Sequence, residues 1–231
     1  MSRHLTLLAA AAALAAACTG TDVGNPAVDV QFAAYNLTVA DTTVAEATMQ
    51  VERIRLRPAS DCDGDAEIEI EGPFAVDLTQ PTAIADLTDL ELEAQGYCRL
   101  ELRWHPDDDT DLAIELSGEA DGTPFAVRSR RNDELRLESS DPDGFTIDEA
   151  TSALFVAFDV AAWLDGVDIA SADLDGDGVA VIDDDSNDAL LDVFEGNVTD
   201  AADLFDDDDG DGALDEDEHG DDDTLAEGTS G

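Results

Sequence analysis

The sequence predicts a mainly β protein, an antiparallel β-sandwich followed by a small α-helical module rich in acids. Three observations predict it. Short runs of alternating apolar and polar residues recur from 28 to 159, and turn-forming clusters separate them. Beyond about 160 the apolar residues take up helical spacing and Lys and Arg are absent.

The runs span 28–34, 47–57, 66–71, 74–78, 97–104, 112–117, 125–130, 134–138 and 154–159. Several declare their buried face. Ile68 and Ile70 alternate with Glu67, Glu69 and Glu71, and Leu100, Leu102 and Trp104 alternate with Arg99, Glu101 and Arg103. One side of such a strand meets a core and the other meets water. Turns are expected at 63–65, 107–110, 121–123, 131–133 and 141–144, where Asp, Asn, Gly and Pro gather. This rhythm favours an immunoglobulin-like sandwich, with a barrel as second choice. Between 49 and 57 the apolar set moves from odd to even positions, which predicts a β-bulge near Glu52.

Arg53, Arg55 and Arg57 share one strand face, and Arg128 and Arg130 another. They can form a basic stripe for an anionic ligand or pair across strands with Glu67, Glu69, Glu71, Glu101 and Glu115. Pairing is the reading favoured here, because opposite charges on neighbouring strands of a wet sheet face attract. After the last strand, 160–164 begins a short helix. A longer helix is expected over 187–205, with Leu190, Val193, Phe194, Val198, Ala201, Leu204 and Phe205 near helical spacing and Gly196 as its weak point. The stretch 220–231 is acidic, has few apolar residues, and is expected to be disordered.

Charge separates the two parts. The chain holds 58 acids and ten basic residues, every one an Arg, for a net charge of −48. Residues 1–136 carry 26 acids and all ten Arg, whereas 137–231 carry 32 acids and no Arg. Nucleic acid is thereby excluded as a partner. Self-repulsion of this size opposes compaction, and a divalent cation relieves it.

The N-terminus reads as an export signal over 1–17: Arg3 and His4, then an apolar run to Ala17 that is too short to span a bilayer. Ala15-Ala16-Ala17-Cys18 resembles the lipobox of bacterial lipoproteins, with Leu14 one place further from the cysteine than in the family pattern. The resemblance implies cleavage before Cys18, its lipidation, and membrane attachment; an ordinary cleaved signal is the alternative. Residues 18–27 then form a flexible tether. Thr19 after the cysteine implies, by the same resemblance, an outer-membrane destination in the cell envelope. With Cys18 lipidated, Cys62 and Cys98 remain as a pair in an oxidising compartment. A disulfide is expected in preference to zinc, for which the ligands are too few.

Two Asp-rich loops flank the longer helix. In the second, Asp207, Asp209 and Asp211 alternate, Gly212 follows, and Ala213, Leu214, Asp215 and Glu218 complete the pattern. This D-x-D-x-D-G-x-L-D-x-x-E string is similar to the EF-hand calcium loop. The resemblance implies side-chain oxygens from Asp207, Asp209 and Asp211, the Ala213 carbonyl, a contact from Asp215 and both oxygens of Glu218. The first loop offers Asp173, Asp175, Asp177, the Val179 carbonyl and Asp184, for which Asp183 or Asp185 can substitute, with Ala180 where the family has a larger aliphatic residue. The loops begin 34 residues apart, near the separation of paired EF-hands, and Leu214 is expected on the short strand that joins such a pair. The tandem also resembles the calcium repeats of thrombospondin type 3 and dockerin modules. A solvated acidic run is the bland alternative.

No nucleophile and base pairing, nucleotide loop or G-x-S-x-G is visible, so catalysis is not expected. The reading is a β-sandwich domain at 28–160 and an EF-hand-like Ca²⁺ module at 161–219, in a lipid-anchored protein with a structural or interaction role. Its expected partners are the membrane, calcium ions and a protein or polysaccharide at the cell surface. Carbohydrate or small-ligand binding is the second choice.

Overall fold

The computed structural model describes residues 25–65, 67–79, 84–104, 112–207, 209–215 and 223–229. The expectations for the signal at 1–17, for Cys18 and the tether to 24, and for Glu218 lie outside the described residues. The chain is mainly β. Its first half holds β1 (Ala27–Tyr35), β2 (Thr38–Val39), β3 (Thr42–Pro58), β4 (Ile68–Asp77), β5 (Leu90–Glu91) and β6 (Gln95–Trp104). Then come β7 (Ile114–Ala120), β8 (Thr123–Ser129), β9 (Glu134–Glu138), β10 (Phe145–Ile147) and β11 (Ala153–Asp159). The acid-rich part supplies helix α1 (Val160–Trp163), β12 (Ala180–Ile182), helix α2 (Asp188–Asp200), β13 (Ala202–Asp206) and β14 (Ala226–Thr229).

These strands join one sheet, whose main path runs β12-β8-β7-β3-β6-β9-β14-β13-β11-β1-β5. Strands from both ends of that path, β8 with Phe125 and Val127 and β1 with Val28 and Val30, contribute to the same buried cluster, so the sheet curls around it. The curl starts in β3, which pairs β7 along Thr42–Met49 and β6 along Val51–Pro58. Its register with β4 and β6 shifts between Val51 and Arg53, where the change of apolar parity placed a bulge. A second shift lies between Val44 and Glu46. Bulges add twist and let one strand serve two parts of a sheet.

The pairing is not purely antiparallel. β1 runs parallel to β11, and β12 parallel to β8. β11 is buried at every position from Ala153 to Phe158, as befits a strand covered on both faces. Its inner face joins the main core, and Phe155, Ala157 and Phe205 form a small outer cluster with Ala33 and Ala153.

The expected helix over 187–205 ends at Asp200, and Ala202–Asp206 is strand. Leu204 and Phe205 point to opposite faces, one into the main core and the other into the outer cluster. Two-sided burial therefore imitated helical spacing. Ala226–Thr229, expected in a disordered tail, is also strand: its main chain fills a slot between β13 and β9. The boundary at 160 is not a break in the sheet, since β12, β13 and β14 all pair within it. Among the described residues the two acidic loops do not pair with each other, and 180–182 pairs with 125–127 on β8.

α2 buries Leu191, Phe194 and Val198, and Arg131 fastens it to the sheet. The Arg131 guanidinium donates to the Glu195 carbonyl at 2.8 Å and the Thr199 hydroxyl at 3.2 Å, and grips Asp133 with two bonds of 2.7 Å. It also lies 5.9 Å from the centre of the Trp104 ring.

On the outer face of β4, β3, β6 and β9, arginines and glutamates alternate in ion pairs, among them Arg55–Glu69 at 2.8 Å and Arg57–Glu67 at 2.9 Å. Glu101 is the most enclosed acid there, 4% exposed, with Arg99 at 3.1 Å and Arg57 at 3.4 Å. Burial alone raises its pKa, but the Arg99 hydrogen bond and the Arg57 charge outweigh burial and hold it below the usual glutamate range. A depressed carboxylate stabilises the fold above its unfolded pKa of about 4.3, and this is lost as pH falls through the lower folded value. Glu101→Gln is therefore expected to flatten the pH dependence of urea unfolding below about pH 5. An unchanged slope in titrations at stepped pH would exclude Glu101 as an acid-sensitive support.

Candidate metal centre

The second acidic loop is launched by the sheet. The Asp207 N–H donates to the Ala153 carbonyl at 3.2 Å, continuing the β11–β13 ladder by one rung, and leaves Asp207 only 5% exposed. Its carboxylate then organises the loop: Oδ1 accepts the Gly210 N–H at 2.8 Å, while Oδ2 accepts the Gly212 N–H at 3.1 Å and the Ser152 hydroxyl at 3.1 Å. Asp209 accepts the Asp211 N–H at 3.0 Å, and Asp211 accepts the Ala213 N–H at 2.8 Å. Gly212 takes φ +80°, the left-handed turn its place in the pattern demands. Leu214 folds back onto the outer apolar cluster.

Asp207, Asp209 and Asp211 thereby each offer a carboxylate oxygen, all within 4.8 Å of one another. Oxygens bound to one calcium at roughly 2.4 Å lie no further apart than about that distance. The donors are hard, anionic and oxygen-only, which fits calcium or magnesium and not a thiolate-seeking metal. Ala213 and Asp215 follow on the exposed side of the loop. Asp207 also borders a cleft of about 230 Å³ lined by Asp148 and Asp206.

The first loop is held differently. Asp175 turns onto its own backbone, accepting the Val179 and Asp177 N–H groups at 2.9 Å each. These two bonds, Val179 foremost, hold its carboxyl below the usual aspartate range. The Val179 carbonyl accepts the Asp175 N–H at 2.9 Å. Asn187 clamps the ends of the loop, donating to the Asp173 and Val181 carbonyls at 3.2 and 2.7 Å. Asp184 is paired with Arg130 at 3.1 Å. Among the described residues the carboxylates of Asp173, Asp175, Asp177 and Asp184 do not converge, and Asp207, Asp209 and Asp211 do.

Ser152, Arg130 and Asn187 shape these loops without belonging to their motif. Ser152 and Arg130 are more than fifty residues from their aspartates, at separations of 55 and 54, so no local pattern announces them. Comparison with protein families, characterised proteins and solved structures finds no match for this chain.

Proposed function

We propose that this chain is an exported, lipid-anchored protein of the cell envelope that binds Ca²⁺ through its second acidic loop, with a structural or interaction role at the outer membrane. The curled sheet serves as a sandwich-like body, and the 207–218 stretch as an EF-hand-like loop ordered by the ion. The observation that carries this reading is the convergence of Asp207, Asp209 and Asp211 on one point. By resemblance, Ala213, Asp215 and Glu218 complete the shell. A second ion at Asp173, Asp175, Asp177, Val179 and Asp184 requires Asp184 to leave Arg130, so that loop binds more weakly. The metal is structural in this reading, because signalling EF-hands act by moving helices and β13, not a helix, leads into the loop.

Carbohydrate binding gains no support from the aromatic residues. Trp104, Trp163 and Tyr97 are fully buried, Tyr35 is half-buried with its hydroxyl on Asp203, and a cavity of about 410 Å³ between 36–44 and 159–165 has no aromatic lining. The test is calorimetric titration with CaCl₂. Asp209→Ala is expected to weaken the tighter binding by about tenfold or more, since one of three converging carboxylates is gone. Asp209 is exposed and its side chain is bonded within the loop, so folding should survive. Unchanged affinity in Asp209→Ala, or no calcium heat in the parent chain, would refute the assignment.

A further inference from the structure

We infer that β14 is an electrostatically gated stave of the sheet, docking between β9 and β13 when cations screen the carboxylates that face one another across these three strands and leaving when they are withdrawn. The part played by calcium rests on the reading of the Asp207 loop given above.

Among the described residues β14 is the link between β9 and β13 in the sheet path. It is a weak link by apolar measure. Its apolar anchorage is small, Ala226 buried and Leu225 just before it half-buried against the core, and main-chain bonds such as Leu225 N–H to the Leu204 carbonyl at 2.8 Å add to it. The slot is specific nonetheless. A Cβ on Gly228 would lie 2.0 Å from the Thr199 carbonyl oxygen and 3.0 Å from that of Ala202, so glycine alone fits where the strand crosses the end of α2.

Charge opposes this docking on two counts. Glu227 stands opposite Glu138 on β9 and Asp203 on β13, which sets three carboxylates abreast across three strands. Like charges so placed are destabilising. Arg99 reaches Glu138 at 2.9 Å, and the Tyr35 hydroxyl donates to Asp203 at 3.4 Å. The described residues that lead to it, 207, 209–215 and 223, add five acids, with neither Lys nor Arg. At low ionic strength this repulsion reaches across the whole strand, for the Debye length is roughly 30 Å at about 0.01 M salt and roughly 3 Å at about 1 M.

Hydrogen exchange read by mass spectrometry on the full-length chain tests the idea, at those two NaCl concentrations with chelator and at the lower one with CaCl₂. In low salt with chelator, amides of 225–229, 136–138 and 203–205 are expected to exchange together, about tenfold faster or more, while β3 and β6 keep their protection. Recovery with CaCl₂ beyond that with NaCl of equal ionic strength supports both the stave and the Asp207 site. Equal recovery with either salt supports the stave and overturns the calcium reading. Protection that is the same in every condition overturns the stave, whatever calcium does in calorimetry. Gly228→Val should expose the same amides in all salts, and if it leaves them protected the slot is not as described and the proposal fails. Glu227→Gln, which keeps the glycine and the apolar contacts, should dock at lower salt and slow the low-salt exchange about two- to fivefold. An unshifted salt midpoint in that variant also overturns the proposal.

Discussion

Trp163→Ala is expected to destabilise the protein by about 3–5 kcal/mol, the range found when a large buried aromatic is cut back to a methyl group. The indole is fully buried, and its ring stands edge-on to Phe158 at 5.5 Å and to Phe194 at 5.8 Å. These rings come from α1, β11 and α2, so one side chain holds the helices against the sheet. The cavity cannot close cheaply, because polar bonds fix its walls: the Asn197 amide donates to the Trp163 carbonyl at 3.1 Å and to the Asp165 carbonyl at 2.7 Å. Trp163→Phe should cost less than half as much, since it keeps an edge contact and removes a buried indole N–H that has no acceptor among the described residues. Urea unfolding at fixed calcium measures both. A loss under about 1 kcal/mol for the alanine variant would mean that α2 does not rest on this ring.

What the sequence makes legible follows from how far apart the cooperating residues lie. The face of β6 was readable because Leu100, Leu102 and Trp104 alternate with charged neighbours, and they are fully buried. Glu134–Glu138 was bounded correctly for the same reason. The bulge beside Glu52 was visible as a change of parity within nine residues. Strands with both faces covered lose that alternation. Residues 202–205 therefore read as helix in the sequence, although Leu204 and Phe205 serve opposite faces. The parallel pairing of β1 with β11 joins Asp29 to Ala153, and nothing local specifies such a partner. The acid-rich C-terminus looked unable to fold because its own side chains bury almost nothing, yet a slot between two existing strands needs a backbone and a glycine more than an apolar face. The acidic loops divide in the same way. Their motif is local and was legible, but what distinguishes them is tertiary: the sheet and Ser152 gather Asp207, whereas Arg130 holds Asp184 apart.

Replacing Cys62 and Cys98 by serine together is expected to cost about 3–4 kcal/mol, the chain-entropy value for a closed loop of this size. The two residues form a disulfide across a separation of 36, which encloses the turn after β3, all of β4 and β5, and the start of β6. Most of the benefit lies in the unfolded chain, which the bridge keeps from spreading, so the folded sheet of the variant should look unchanged by circular dichroism. β4 hydrogen-bonds only to β3 among the described strands, and the connector 59–67 before it carries Asp61, Asp63, Asp65 and Glu67. Without the bridge that acidic turn keeps only polar contacts: Arg57 donates to the Gly64 carbonyl at 3.1 Å and pairs with Glu67 at 2.9 Å, and Arg99 lies 3.9 Å from the fully exposed Asp63. An exposed pair of that kind contributes under about 1 kcal/mol and fades with salt. The loss should therefore appear first as proteolysis within 59–67, and unfolding in urea should follow at a lower midpoint. Since domains of this size hold roughly 5–15 kcal/mol in all, a chain made in a reducing compartment should be marginal and one exported before folding should not. A double-serine variant with the parent midpoint would show that the bridge restrains a loop already closed by other contacts.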